Sequence, residues 1–285
     1  MLNLLLALAG TYVLICIGAR VLHRYFIYIP DRTRYAPQAL GLVGVQEVTL
    51  TAPDGVELIA WYGPAKADRA TFLYFTGNDG CVGTRVEKIK RIQASGYGVL
   101  MVNYRRYGGS GGWPSEANNV ADAVLAYDWL RKRGVRADEI IAYGESLGTG
   151  VATQLALQRA LKALVLEAPF TSIVEVGRQV WGFLPLQQIM VDQYRTIDYI
   201  GQVRAPLYVV HGARDSLIPV HHARQVYAAA NCPKTLVILP GGDHNNLYDH
   251  GAFEKVRDLL EDFALAHRPG RASRPVVEVP LVAAE

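Results

Sequence analysis

Short runs of Val, Ile, Leu and aromatic residues alternate with longer helical patterns through most of the chain, and this rhythm limits the architectures open to it. Residues 71–75, 98–102, 140–143, 163–167, 207–211 and 236–239 read as strands. Residues 84–95, 115–133, 147–160, 219–230 and 247–266 carry helical periodicity. Strands that are apolar on both faces and separated by helices belong in a parallel sheet covered on both sides. Residues 45–52 and 56–62 flank Pro53-Asp54-Gly55, a hairpin signal that adds two strands in front. The expected class is α/β, with about eight mostly parallel strands and helices on both faces. The stretch 170–204 is longer than one crossover helix needs and carries Trp181, Phe183, Leu184 and Ile189. It reads either as a lid over a pocket or as an irregular crossover. The end, 267–285, mixes Pro, Arg, Ala and Val without period and reads as a disordered tail.

Ahead of this body stands a run of different character. Residues 2–19 hold no charge. At 1.5 Å rise per residue they extend about 27 Å, close to the thickness of a hydrocarbon core. Arg20, His23 and Arg24 follow, with Tyr25, Phe26 and Tyr28 as an interfacial belt. A cleaved signal peptide is disfavoured, because no Lys or Arg precedes the run and no small-x-small site follows it. Cys16 lacks the small preceding residue of a lipobox, since Ile15 stands there. A buried core helix fits the length and the aromatic belt less well. The expected organisation is an anchor at 1–24, inserted through residues 2–22, a linker at 25–44 and a body at 45–266. Positive charge after the helix places the body in the cytoplasm as a single-pass protein.

Composition narrows the partners. Hydrophobic residues make up 51% and charged residues 19%, which excludes a disordered chain. The formal charge is +3, but residues 20–34 alone hold four arginines against one aspartate. The body is left close to neutral, with no field for a nucleic acid backbone, so nucleic acid is not expected as a partner. Three cysteines without a Cys-x-x-Cys pattern suggest neither a disulfide framework nor a zinc site, and no metal or cofactor is expected. Oligomeric state is not legible.

Gly-x-Ser-x-Gly occurs twice, at Gly144-Glu145-Ser146-Leu147-Gly148 and at Gly108-Gly109-Ser110-Gly111-Gly112. Context separates them. A nucleophile elbow needs a strand before the serine and a helix directly after it. Ser146 has both, whereas Ser110 sits in a glycine run before Trp113-Pro114 and reads as a flexible loop serine. A serine nucleophile needs a base, and the base needs an orienting acid. In elbow folds these follow in the order Ser, acid, His. Asp215 and His244 lie just past strands 207–211 and 236–239. Asp243 is adjacent to His244 and a poor partner for it. His250 is a rival base beyond the loop. His211 reads as structural, and His221 and His222 as the start of a surface helix. The oxyanion of an acyl-transfer intermediate needs donors, for which the Leu147 and Asn78 N–H groups are the candidates.

At these residues the chain resembles the α/β-hydrolase superfamily, in the membrane-anchored serine hydrolase branch related to serine aminopeptidase-like domains. That branch includes lysophospholipid lipases and protein depalmitoylases. The resemblance is carried by Phe75-Thr76-Gly77-Asn78, Asn103-Tyr104-Arg105-Arg106-Tyr107-Gly108, Gly144-Glu145-Ser146-Leu147-Gly148-Thr149-Gly150, Glu167-Ala168-Pro169-Phe170, His211-Gly212-Ala213-Arg214-Asp215 and Gly242-Asp243-His244-Asn245, and spans roughly residues 26–265. It implies an α/β-hydrolase fold behind one N-terminal transmembrane helix, and acyl transfer through Ser146, His244 and Asp215. Thr76 departs from the family's usual His, and Arg106 from its usual Gly. The expected function is hydrolysis of an ester or thioester of a small or lipid-like acyl group, with Trp181, Phe183, Leu184 and Ile189 as an acyl wall. The alternatives are a serine peptidase-like hydrolase and a non-catalytic membrane scaffold.

Overall fold

All the expected strands join one sheet: β1 (Gln46–Thr51), β2 (Glu57–Gly63), β3 (Thr71–Phe75), β4 (Gly98–Val102), β5 (Ile140–Glu145), β6 (Ala163–Glu167), β7 (Leu207–Gly212) and β8 (Lys234–Leu239). The computed structural model describes residues 1–266, so the expected disordered tail, 267–285, lies outside the described residues. The order across the sheet is β8-β7-β6-β5-β3-β4-β2-β1. β1 and β2 form the expected antiparallel hairpin, β2 runs antiparallel to β4, and the remaining neighbours are parallel. The chain leaves β3 to one side for β4 and to the other for β5. The carboxyl ends of β3 and β5 therefore face a topological switch point, where open α/β sheets leave a crevice.

Alternate strand residues feed two cores, as the pleat dictates. On one face Leu73, Phe75, Leu100, Ala142 and Leu164 pack against α3 (Glu116–Lys132), α4 (Leu147–Gln158) and α8 (His221–Ala229). On the other, Phe72, Tyr74, Met101, Ile141 and Tyr143 pack against α2 (Val86–Ala94) and α9 (Ala252–Ala266). The Ser115 hydroxyl caps α3 by accepting from the Asn118 N–H at 3.1 Å. α9 starts later than its sequence pattern suggests, because consecutive turns ending at Gly251, φ 80°, occupy the preceding residues. The 170–204 stretch forms α5 (Ile173–Trp181), α6 (Leu186–Ile189) and α7 (Thr196–Tyr199).

α1 (Leu2–Ile27) is one continuous helix of 26 residues, with mean hydropathy 2.1 over its best window and its outward side chains exposed. By length and composition it can cross a membrane. It also extends past the expected end at residue 24 and is pinned to the 170–204 stretch at three levels. The Tyr12 hydroxyl donates to the Phe183 carbonyl at 2.9 Å. Arg20 donates to the Gln188 carbonyl at 3.2 Å, and Arg24 pairs with Asp192 at 2.9 Å. The expected linker is likewise packed. Ile29–Pro30 pairs in parallel with Asp79–Gly80, the Tyr28 hydroxyl donates to Asp192, and Pro37 and Leu42 are buried. Burial of these apolar side chains outweighs the freedom a linker would keep.

Candidate active site

β5 ends at Glu145 and α4 begins at Leu147, leaving Ser146 at φ 51°, ψ −114°. This sparsely populated region costs about 1–3 kcal/mol and persists only where the surroundings impose it. The Ser146 N–H donates to the Glu167 carbonyl at 2.9 Å across the neighbouring strand end. Space explains the two flanking glycines. A Cβ on Gly144 would meet the Gly148 carbonyl oxygen at 2.4 Å, and one on Gly148 would meet that of Phe75 at 2.1 Å.

The structure brings Ser146, Asp215 and His244 together from three strand ends. His244 Nε2 lies 3.0 Å from Ser146 Oγ, and His244 Nδ1 lies 2.8 Å from Asp215 Oδ2. An ionised carboxylate only accepts, so Nδ1 carries the proton and Nε2 is left to accept from the serine hydroxyl. Asp215 Oδ1 also accepts from the Leu217 N–H at 3.0 Å and the Ile218 N–H at 2.7 Å. Burial pushes the Asp215 carboxyl up, but the hydrogen bonds from His211, His244 and Ile218 outweigh it and hold it well below the usual carboxylate range. Burial pulls His244 down. The hydrogen bond and charge of Asp215, with Glu145 and Glu167 beyond, overcome this and leave His244 above its ordinary value.

Among the described residues none of the rivals is hydrogen-bonded to Ser146. His250 is exposed, with its ring against Gly241. Asp243 accepts from the Ser216 and His244 N–H groups. His211 is buried and donates from Nε2 to the Ile218 carbonyl at 2.7 Å. His222, expected on a surface helix, is instead buried against the Thr171 hydroxyl at 2.9 Å. Burial foremost, then His221 and His211, lower its pKa to about 4. Ser110 is not a flexible loop serine: its buried hydroxyl accepts from the Ile59 N–H at 2.9 Å and donates to the Asn103 carbonyl. Packing of the glycine loop against the start of β2 places it there, and among the described residues no histidine or carboxylate is hydrogen-bonded to it.

Asn78 follows β3 and is clamped from three directions. Its side chain donates to the Ile27 carbonyl at 2.8 Å, and its own carbonyl accepts from the Tyr107 hydroxyl at 2.6 Å and the Ile29 N–H at 2.9 Å. Among the described residues, neither the Asn78 N–H nor the Leu147 N–H makes a hydrogen bond. Both residues line the same cavity as Ser146.

That cavity measures about 590 Å³. Trp181, Phe183, Leu184 and Ile189 all line it. Its other wall is α1, through Ile15, Gly18, Ala19, Leu22 and Phe26, a contribution that sequence reasoning missed. The signal was present as a stripe at spacings of three and four, but an all-apolar helix hides such a stripe. Among the described residues no Asp, Glu, Lys or Arg lines the cavity, and His23 is its one ionisable side chain.

A buried charge network behind the elbow was also missed. Glu145 and Glu167 stand opposite each other in the β5–β6 register. Lys88 reaches both, at 2.8 and 3.2 Å, and Arg85 lies 3.3 Å from Glu145. The Tyr74 hydroxyl donates to Glu145 and the Tyr143 hydroxyl to Glu167. Burial pushes the Glu145 carboxyl up, but Lys88 and Arg85 outweigh it and hold it down, so it stays ionised. Two glutamates ending adjacent strands were the available clue, since such a pair needs a cation.

Comparison with known proteins follows the same lines. Residues 67–192 match the family model of serine aminopeptidase S33. The chain is 32% identical over 191 residues to the mouse lysophosphatidylserine lipase ABHD12, covering 60% of this chain and 48% of that one. It superposes on the Pyrococcus furiosus esterase Pf2001 with a TM-score of 0.67 at 19% identity, covering 83% of this chain and 98% of the esterase. The Arabidopsis thaliana alpha/beta hydrolase domain-containing protein WAV2 is 31% identical over 243 residues, covering 75% of this chain and 77% of that one. An identity of that extent, on a sheet whose switch point carries a strand-to-helix serine turn, makes this chain a member of the α/β-hydrolase superfamily.

Proposed function

We propose that the chain is a membrane-anchored serine hydrolase that cleaves esters or thioesters of lipid-like acyl chains, with its body on the cytoplasmic side. The observation that carries this reading is the cavity. It joins Ser146 to a mostly apolar wall built jointly from α1 and the 170–204 stretch. Val180, Trp181 and Phe183 are exposed beside the helix that would lie in the bilayer, so the mouth opens where acyl chains are found. The absence of a carboxylate from the lining among the described residues favours an alkyl chain over the amino terminus of a peptide. The mouse relative, a lysophosphatidylserine lipase by name, points the same way.

In this mechanism Ser146 Oγ attacks the acyl carbonyl carbon while His244 Nε2 takes its proton, and Asp215 stabilises the imidazolium. The Asn78 and Leu147 N–H groups receive the developing oxyanion. His244 then returns the proton to the leaving alcohol or thiol. Water, deprotonated by the same nitrogen, hydrolyses the acyl-enzyme. Each buried methylene contributes about 0.8 kcal/mol, part of which lowers the barrier. The test pairs a fluorophosphonate probe with matched esters from acetyl to medium chain. The wild type is expected to label and to show kcat/KM rising with chain length. Ser146→Ala should lose labelling and about 10⁶ in turnover. Labelling that survives Ser146→Ala would remove the nucleophile. A flat length profile would remove the lipid-acyl reading.

A further inference from the structure

We propose that a second cavity, on a different face of α1 from Ser146, binds the phosphate of an anionic lipid headgroup; this rests on the membrane-anchored reading above. The cavity measures about 430 Å³ and is lined by Arg24, Tyr25, Tyr28, Arg32, Arg106 and Trp113 among others. Arg24, Tyr25 and Tyr28 belong to one stripe at the end of α1, while Gly18, Leu22 and Phe26 on another stripe wall the Ser146 cavity. One helix thus separates an apolar cavity from a basic one.

The charge of the second cavity is unbalanced. Asp192 neutralises Arg24 at 2.9 Å and also accepts from the Tyr28 hydroxyl. Asp31, next to Arg32 in the chain, is turned to the Thr33 N–H at 2.8 Å and the Tyr35 hydroxyl. Among the described residues Arg32 and Arg106 make no ion pair, and no acidic side chain lines the cavity. Two arginines that no carboxylate balances therefore line one space, and guanidinium forks match phosphate oxygens in pairs. Arg106 holds this place at φ 73°, a left-handed conformation that disfavours a side chain. Its guanidinium stacks 3.7 Å over the Trp113 ring, and Tyr25 packs edge-on to the same ring at 6.2 Å.

Height selects the source of the phosphate. The lining begins after the uncharged run 2–19, and exposed Tyr25 and Trp113 are side chains suited to the headgroup level. A phosphate fixed at that depth belongs to a lipid, not to the aqueous phase.

The full chain is reconstituted into phosphatidylcholine vesicles holding a minor fraction of phosphatidylglycerol, then extracted in mild detergent. The lipids that copurify are quantified. Flotation with the vesicles after an alkaline wash reads the anchor separately. The wild type is expected to float and to retain phosphatidylglycerol enriched about 5-fold over bulk for each unpaired arginine. The double variant Arg32→Gln, Arg106→Gly should float and hydrolyse an acetyl ester as before, with the enrichment gone. Glycine accepts φ 73° without strain, so misfolding does not explain such a loss. Equal enrichment in the variant overturns the proposal. So does full displacement of phosphatidylglycerol by millimolar inorganic phosphate, which assigns the cavity to a soluble anion. A wild type that fails to float overturns the anchor and this proposal together, whereas flotation without enrichment overturns this proposal alone.

Discussion

Asp215 and His244 control each other's protonation, and activity should report it. The base must be neutral to accept the serine proton. Because Asp215 raises His244 against the pull of burial, kcat/KM is expected to fall as pH drops through a value above the ordinary histidine pKa of about 6.5. In Asp215→Asn the opposing charge is gone and burial prevails. The inflection should move below that of the wild type while the rate falls by about 10⁴. A pH–rate profile of both proteins checks this, and an unmoved inflection would detach the acid role from Asp215. Ser110 supplies the contrast, since its hydroxyl accepts from the buried Ile59 N–H. Ser110→Ala should cost about 1–3 kcal/mol of stability by stranding that donor, with turnover per folded molecule unchanged. A melting curve and a titrated active-site count separate the two effects.

At the scale of elements, α1 is part of the wall around Ser146. Its face at Gly18 lines the Ser146 cavity, and a Cβ added there meets nothing within 4 Å. Gly18→Phe should therefore fill acyl space without disturbing the fold. Hydrolysis of medium-chain esters is expected to drop about tenfold for every two methylenes displaced, and acetyl esters should be spared. Parallel losses across all chain lengths would mean that the helix does not bound the acyl path. Behind the elbow, Lys88 bridges Glu145 and Glu167. Lys88→Met leaves two facing carboxylates with Arg85 alone beside them, which should cost about 3 kcal/mol. Thermal unfolding of the detergent-solubilised variant measures it, and a loss under about 1 kcal/mol would show the bridge to be dispensable.

At the scale of the whole molecule, Arg20, Arg24, Arg32 and Arg34 all follow the uncharged run, and the cytoplasmic orientation proposed above rests on that asymmetry. Protease added to sealed spheroplasts should spare the body and digest it after lysis; digestion without lysis would reverse the orientation. The eight strands and the hairpin were legible because a parallel sheet covered on both faces imposes local apolar runs on the chain. Ser146 was distinguished from Ser110 by what flanks each, a strand and a helix against a glycine loop. Asp215 and His244 were legible from their positions after later strands, because strand order fixes which loops reach the switch point. The segment 25–44 was misread as a linker, since pairing of Ile29–Pro30 with Asp79–Gly80 leaves no local trace. Ser110 and His222 were misplaced for the same reason: burial by a distant element is invisible to periodicity. So the sequence alone determined the class of sheet, the strand-to-helix turn at Ser146 and the placing of Asp215 and His244 just after strands, each encoded within a few positions. The tertiary structure alone decided that the apolar helix walls the cavity, through contacts such as Tyr12 with Phe183 and Arg24 with Asp192. It also decided that Lys88 would serve Glu145 and Glu167. Such contacts join residues far apart in the chain, and only the packing of the whole molecule brings them within reach.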